Sequence, residues 1–120
     1  TEGWGLTTDG SQLIMSDGSD NIYFIDTTTF KVTRSVRVTE NGMGVKAINE
    51  LEYINGYIYG NIWQTAVIVK INPATGEVTG RLDLSAIAND IARTYPSADV
   101  LNGIAYDKNA NALLVTGKYW

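Results

Sequence analysis

The chain contains neither histidine nor cysteine. That removes the commonest general base, the commonest zinc ligand and the thiolate nucleophile together. Any chemistry must therefore rest on carboxylates, lysine, tyrosine, hydroxyls and aromatic rings. Such residues gather in three short segments, Glu2-Gly3-Trp4-Gly5-Leu6, Asn49-Glu50-Leu51-Glu52-Tyr53 and Asn102-Gly103-Ile104-Ala105-Tyr106. Glu50 and Glu52 flank Leu51, so on a strand they share one face. One of them can serve as an acid; a structural carboxylate bonded to nearby backbone is the alternative. Asp17 and Asp20 fall in Ser16-Asp17-Gly18-Ser19-Asp20, which is ordinary turn composition. No metal site is assigned to them.

The elements that must position these segments show themselves as a repeat. Sliding the sequence against itself by 46 residues lays Asp9-Gly10 on Asn55-Gly56, Ile25-Asp26 on Ile71-Asn72 and Val32 on Val78. A third, shorter copy starts at Leu101. Self-similarity at roughly 40–50 residues, with several short strands per period, marks propeller blades. The first strand of each blade lines the central channel, so the three segments converge there.

Within the first unit, strands are expected at Leu6–Thr8, Gln12–Met15, Asn21–Ile25 and Phe30–Val38, with hairpin chemistry at Asp9-Gly10. The last alternates apolar Val32, Val36 and Val38 with polar residues, as a half-exposed outer strand does. The second unit repeats the plan over Leu51–Ile54, Tyr57–Ile62, Val67–Ile71 and Val78–Leu84. Between it and the third unit, Leu84, Ile87 and Ile91 are spaced for a short helix, with Ser85 as N-cap and Pro96 as terminator. The expected role of that helix is a plug against the sheet surface. The third unit holds two inner strands, Leu101–Tyr106 and Ala112–Thr116. The expected organisation is one partial domain over 1–120: a blade at 1–46, a blade at 47–84, a helical insertion at 85–96 and a half blade at 101–120.

Composition excludes several partners. The net charge is −4, and the nine Lys and Arg residues are scattered. A polyanion needs clustered cations, so neither nucleic acid nor an anionic membrane is expected. No apolar run approaches the roughly 20 residues that span a bilayer. About two and a half repeats cannot close a ring of roughly four to eight blades. The open sheet edges are expected to be covered by further blades or by self-association.

Six motifs, in order, carry a resemblance: Glu2-Gly3-Trp4-Gly5-Leu6-Thr7, Ile14-Met15-Ser16-Asp17-Gly18, Asn49-Glu50-Leu51-Glu52-Tyr53, Asn61-Ile62-Trp63-Gln64-Thr65, Leu101-Asn102-Gly103-Ile104-Ala105 and Thr116-Gly117-Lys118-Tyr119-Trp120. Together they closely resemble the glutamine cyclotransferase family of plants and bacteria, matching its C-terminal half. The resemblance implies an all-β fold, a five-bladed β-propeller of which this stretch is about two and a half blades with one short inserted helix. It implies conversion of a peptide's N-terminal glutamine into pyroglutamate with loss of ammonia, without metal or other cofactor. It also implies a secreted or periplasmic setting.

By the same resemblance, Asn49 holds the substrate, an amide being able to bridge donor and acceptor groups. Trp63 walls the pocket, and Lys118 neutralises the developing oxyanion. Trp4 occupies the channel-facing position of the preceding blade, and Gln64 and Asn102 are further substrate-binding candidates. The family's proton-transfer carboxylate lies in N-terminal blades outside these 120 residues, with Glu50 the one stand-in here. The isolated chain is therefore expected to be inactive. Two other readings stay open. One is a non-catalytic, self-associating propeller scaffold; the other is a glycan-binding propeller stacking sugars on Trp4, Trp63 and Trp120.

Overall fold

A computed structural model of the protein describes residues 2–120. The first sheet is an antiparallel meander of β1 (Gly5–Thr8), β2 (Gln12–Ser16), β3 (Asn21–Asp26) and β4 (Val32–Arg37), side by side in chain order. Its first turn is an Asx turn. The Asp9 carboxylate accepts the backbone N–H groups of Gln12 and Ser11 at 2.8 and 2.9 Å. Those two bonds hold the Asp9 carboxyl below its ordinary value.

A two-stranded hairpin follows, β5 (Thr39–Glu40) and β6 (Met43–Gly44). It turns at Asn41 and Gly42, both at positive φ (52° and 79°). The strand reading passed over this hairpin, although Asn-Gly is the dipeptide that signals the Asn55-Gly56 turn. The second sheet is β7 (Ile48–Ile54), β8 (Tyr57–Ile62), β9 (Val67–Ile71) and β10 (Val78–Asp83). It is again an antiparallel meander, with β7 on the inside.

Helix α1 (Ser85–Thr94) comes next, but not as expected at its start. Leu84 holds the cap position without a side-chain cap, and Ser85 is already helical. The Asp83 carboxylate instead receives both the Ser85 N–H, at 2.8 Å, and the Ser85 hydroxyl. The helix is a surface strap rather than a plug, since none of its residues is buried. Only Ala88 and Ile91 are half-covered, too little apolar surface to drive it inward. The chain ends in a two-stranded sheet, β11 (Leu101–Asp107) and β12 (Ala112–Gly117).

Two apolar cores hold these sheets together face to face. Ile14, Ile22, Phe24 and Val36 of the first sheet meet Ile48, Leu51, Ile58 and Val69 of the second. Ile68 and Leu84 then meet Leu101 and Ile104 of the third. The stacking is therefore radial, as in a β-propeller, with β7 lying between β1 and β11. Polar bonds pin the inner strands where the cores leave off. The Thr7 hydroxyl accepts the Tyr53 N–H at 3.2 Å and reaches one Glu52 oxygen at 3.4 Å. The other Glu52 oxygen accepts the Tyr106 N–H at 3.2 Å. One carboxylate thus ties three successive inner strands.

Candidate functional site

At one end of the inner strands, Glu2, Trp4, Asn49, Trp63, Asn102 and Lys118 line an open cavity of about 320 Å³. These residues come from three sheets and from sequence positions more than a hundred apart. The two asparagines are delivered by irregularities of their strands, and the others stand just outside strand ends.

Trp4 immediately precedes β1, and its N–H donates to the Ser16 carbonyl at 3.0 Å. Its indole lies across Gly18, where a Cβ would stand 2.6 Å from the ring. Any side chain at Gly18 would displace that wall. Trp63 follows β8, with its N–H bonded to the Ala47 carbonyl at 2.9 Å. The two indoles meet edge to face, centroids 5.5 Å apart at 74°. That geometry suits their quadrupoles and leaves Trp63 38% exposed toward solvent.

The two asparagines sit on β-bulges. Pairing between β7 and β8 slips by one residue between Ile48 and Leu51, so Asn49 and Glu50 occupy the bulge. Pairing between β11 and β12 slips between Leu101 and Ile104, so Asn102 and Gly103 do the same. A bulge re-aims a side chain that the regular alternation would send elsewhere. Both bulges here turn an asparagine to the cavity. The first bulge is braced by Asn61, which is fully buried. Its Oδ1 accepts the Glu50 N–H at 2.9 Å and its Nδ2 donates to the Leu101 carbonyl at 2.8 Å. One side chain therefore fixes the position of both asparagine-bearing strands. In the sequence Asn61 stands out only as part of a motif; its cross-strand partner Ile68, in the core shared with Leu101, shows that its side is buried and its amide must be satisfied.

The backbone at Asn49 is held from the other side. The buried Ser16 hydroxyl donates to the Asn49 carbonyl at 2.6 Å. Gly5 faces the same carbonyl so closely that a methyl group there would overlap it. Lys118 follows β12, its N–H bonded to the Val100 carbonyl at 3.0 Å and its carbonyl accepting the Asp99 N–H at 2.8 Å. Its ammonium is absent from the salt bridges among the described residues. It remains available to a ligand.

Not every expected residue joins this group. Glu50 faces a separate hollow of about 290 Å³ with Gly103, Ala105, Leu114 and Thr116. Burial pushes its carboxyl above the ordinary glutamate value, and the nearby Glu52 charge adds to the shift. Gln64, at a positive φ of 65°, lines another cleft beside α1 with Ala88 and Trp120. The Trp120 indole, its N–H bonded to the Asp99 carbonyl at 2.8 Å, lines that cleft and not the cavity of Trp4 and Trp63. Asp17 accepts from Ser19 and Tyr23, and Asp20 pairs with Arg37 at 2.8 Å. Glu2 supplies the one carboxylate among the cavity's lining residues.

An indole pair, two carboxamides, one ammonium and one carboxylate can bind a small polar group with an apolar stem. They can also stabilise negative charge developing on an oxygen.

Residues 1–120 match the family model described as glutamine cyclotransferase. The chain is similar to a glutaminyl-peptide cyclotransferase of Arabidopsis thaliana, 43% identical over 120 residues, which cover 99% of this chain and 38% of that protein. Among solved structures it is similar to the glutaminyl cyclase of Myxococcus xanthus, with a TM-score of 0.92 and 42% identity. That match covers all of this chain and 52% of the bacterial one, so the 120 residues span about half or less of these relatives.

Proposed function

The chain belongs to the glutamine cyclotransferase family, and on that premise we propose that its cavity receives the N-terminal glutamine of a peptide and serves cyclisation to pyroglutamate. In the reaction the neutral α-amine attacks the γ-carboxamide carbon. An N–C bond closes the five-membered ring and the C–N bond to the side-chain nitrogen breaks. The amine gives up one proton, the leaving nitrogen takes one, and ammonia departs. Ring closure supplies much of the rate advantage, so the protein's work is to orient and to stabilise charge.

The division of labour follows from the lining. The indoles of Trp4 and Trp63 flank the aliphatic stem with apolar ring surface. Asn49 holds polar groups of the glutamine through its carboxamide. Lys118 faces the oxyanion. Proton transfer is the missing role, because Glu50 opens on a different hollow. By the family resemblance that carboxylate belongs to preceding blades. The observation that supports the whole reading is the convergence of Trp4, Asn49, Trp63 and Lys118 on one cavity.

Ammonia release from a glutamine-initiated peptide tests it. The 120-residue chain alone is expected to give little or none, whereas fusion behind the N-terminal blades of a glutaminyl cyclase restores turnover. Equal rates from the chain alone would overturn the division between halves. A folded fusion with no turnover would overturn the functional reading.

The scaffold reading draws on a different observation. Leu6 and Leu114, on the first and third sheets, are each 58% exposed. Apolar sheet faces of this kind call for cover, and we propose neighbouring blades in a longer polypeptide or a second copy in the isolated chain.

A further inference from the structure

Two turns border the open cavity, and they are built alike. After β8, the Thr65 N–H closes residues 62–65 on the Ile62 carbonyl at 3.1 Å. After β12, the Trp120 N–H closes residues 117–120 on the Gly117 carbonyl at 3.4 Å. The third residue of each is left-handed, Gln64 at φ 65° and Tyr119 at φ 59°. Neither is glycine, so both turns hold a backbone that side chains disfavour. The second residue of each turn, Trp63 or Lys118, lines the cavity. The fourth, Thr65 or Trp120, lines the cleft of about 210 Å³ beside α1. β11 makes the same passage, with Asn102 bordering the cavity and Leu101 the cleft. At three places, then, the wall runs from cavity to cleft within one or two residues.

Resting on the functional reading above, we propose that this cleft receives the side chain of the residue that follows the N-terminal glutamine, and that it prefers an apolar side chain of medium size. Cyclisation engages the α-amine and the γ-carboxamide of the first residue, whereas its carbonyl continues into the peptide. The second residue must therefore leave across the cavity rim. Its Cα lies about 3.8 Å from that of the glutamine, the same step that separates Trp63 from Gln64 and Asn102 from Leu101. The lining sets the preference. Ala66, Ala88, Ala92 and Leu101 make the cleft largely apolar, with Trp120 beside them. Ala88 and Ala92 stand four residues apart on α1 and so share one face of it. Their small size keeps the space under the helix open. An apolar side chain entering there leaves water, which favours binding. Asp99 is the one charged residue among those lining the cleft, so an acidic second residue meets like charge.

Binding is read on the chain itself through its indole fluorescence, titrated near neutral pH with glutaminyl-glycine amide, glutaminyl-leucine amide and glutaminyl-aspartate amide. The leucine peptide is expected to bind about tenfold more tightly than the glycine peptide, and the aspartate peptide no more tightly than the glycine one. Ala92→Leu fills the cleft from an exposed helical position where leucine is a good helix former. In that variant the leucine peptide is expected to fall to the level of the glycine peptide. Circular dichroism establishes that the variant is folded; if it is not, the three peptides on the unaltered chain decide. Equal binding of the leucine and glycine peptides by the unaltered chain overturns the role of the cleft and leaves the functional reading intact. So does an aspartate peptide as tight as the leucine one, or a leucine advantage that survives in folded Ala92→Leu. Failure of the unaltered chain to bind any of the three overturns both.

Discussion

On the function proposed above, Trp63 serves binding and Lys118 chemistry, and their variants should separate accordingly. Trp63→Ala removes a half-exposed wall and the edge partner of Trp4. It is expected to weaken binding of a glutamine-initiated peptide about tenfold, read as a rise in the dissociation constant. Lys118→Met leaves the walls in place and removes the cation proposed to face the oxyanion. In the fusion described above its kcat should fall on the order of a hundredfold with a smaller change in KM. Glu50 makes a prediction of the opposite kind. Its carboxyl holds a proton to higher pH in the folded chain than in the unfolded one. The folded state is therefore not penalised while both forms are protonated. The penalty sets in as pH rises from the ordinary glutamate range through the raised native value, and is complete above it. Glu50→Gln should accordingly raise the melting temperature near neutral pH and leave it unchanged below the ordinary glutamate range. A gain at both pH values would show that burial of the charge is not the cause.

At the scale of elements, the two bulged inner strands matter most. A strand period of two would have put Asn49 and Asn102 wherever the alternation dictated. The extra residue in β7 and in β11 decouples them from it. Asn61 holds both strands, so Asn61→Ala leaves the Glu50 N–H and the Leu101 carbonyl without their partner. A loss of about 2–4 kcal/mol in unfolding free energy is expected by chemical denaturation. Loss of the peptide's fluorescence response should accompany it even where the variant still folds, because both asparagines lose their brace. Sequence reading found most of the strands because hairpin dipeptides and β-branched runs are local signals. It started β7 at Leu51, three residues late, because Asn49 and Glu50 carry no strand propensity and a bulge has no pattern of its own. It also made Ser85 a cap, where Asp83, two residues earlier, captures the free amide.

The whole molecule is a radial stack with two outward faces, and Leu6 and Leu114 mark them. The isolated chain is expected to sediment above its monomer mass of 13.1 kDa, and the double variant Leu6→Asp, Leu114→Asp to return toward it. A unaltered chain that is monomeric at all concentrations would remove the scaffold reading.

What the sequence determined by itself was whatever is written in neighbouring residues. The turns and the order of the strands are of this kind, as is the absence of imidazole and thiol chemistry. The meeting of Trp4 with Asn49 was expected from the channel-lining placement of their segments, whereas Trp63 and Lys118 were legible there only through family likeness, since residues so far apart carry no local mark of meeting. Tertiary structure alone decided the membership of the cavity. It drew Glu2 in, turned Glu50 and Gln64 away, and left the Asn102 oxygen buried without a donor. The reason is that side-chain direction on an inner strand depends on register slips and on packing across blades, and neither is encoded within reach of a single strand.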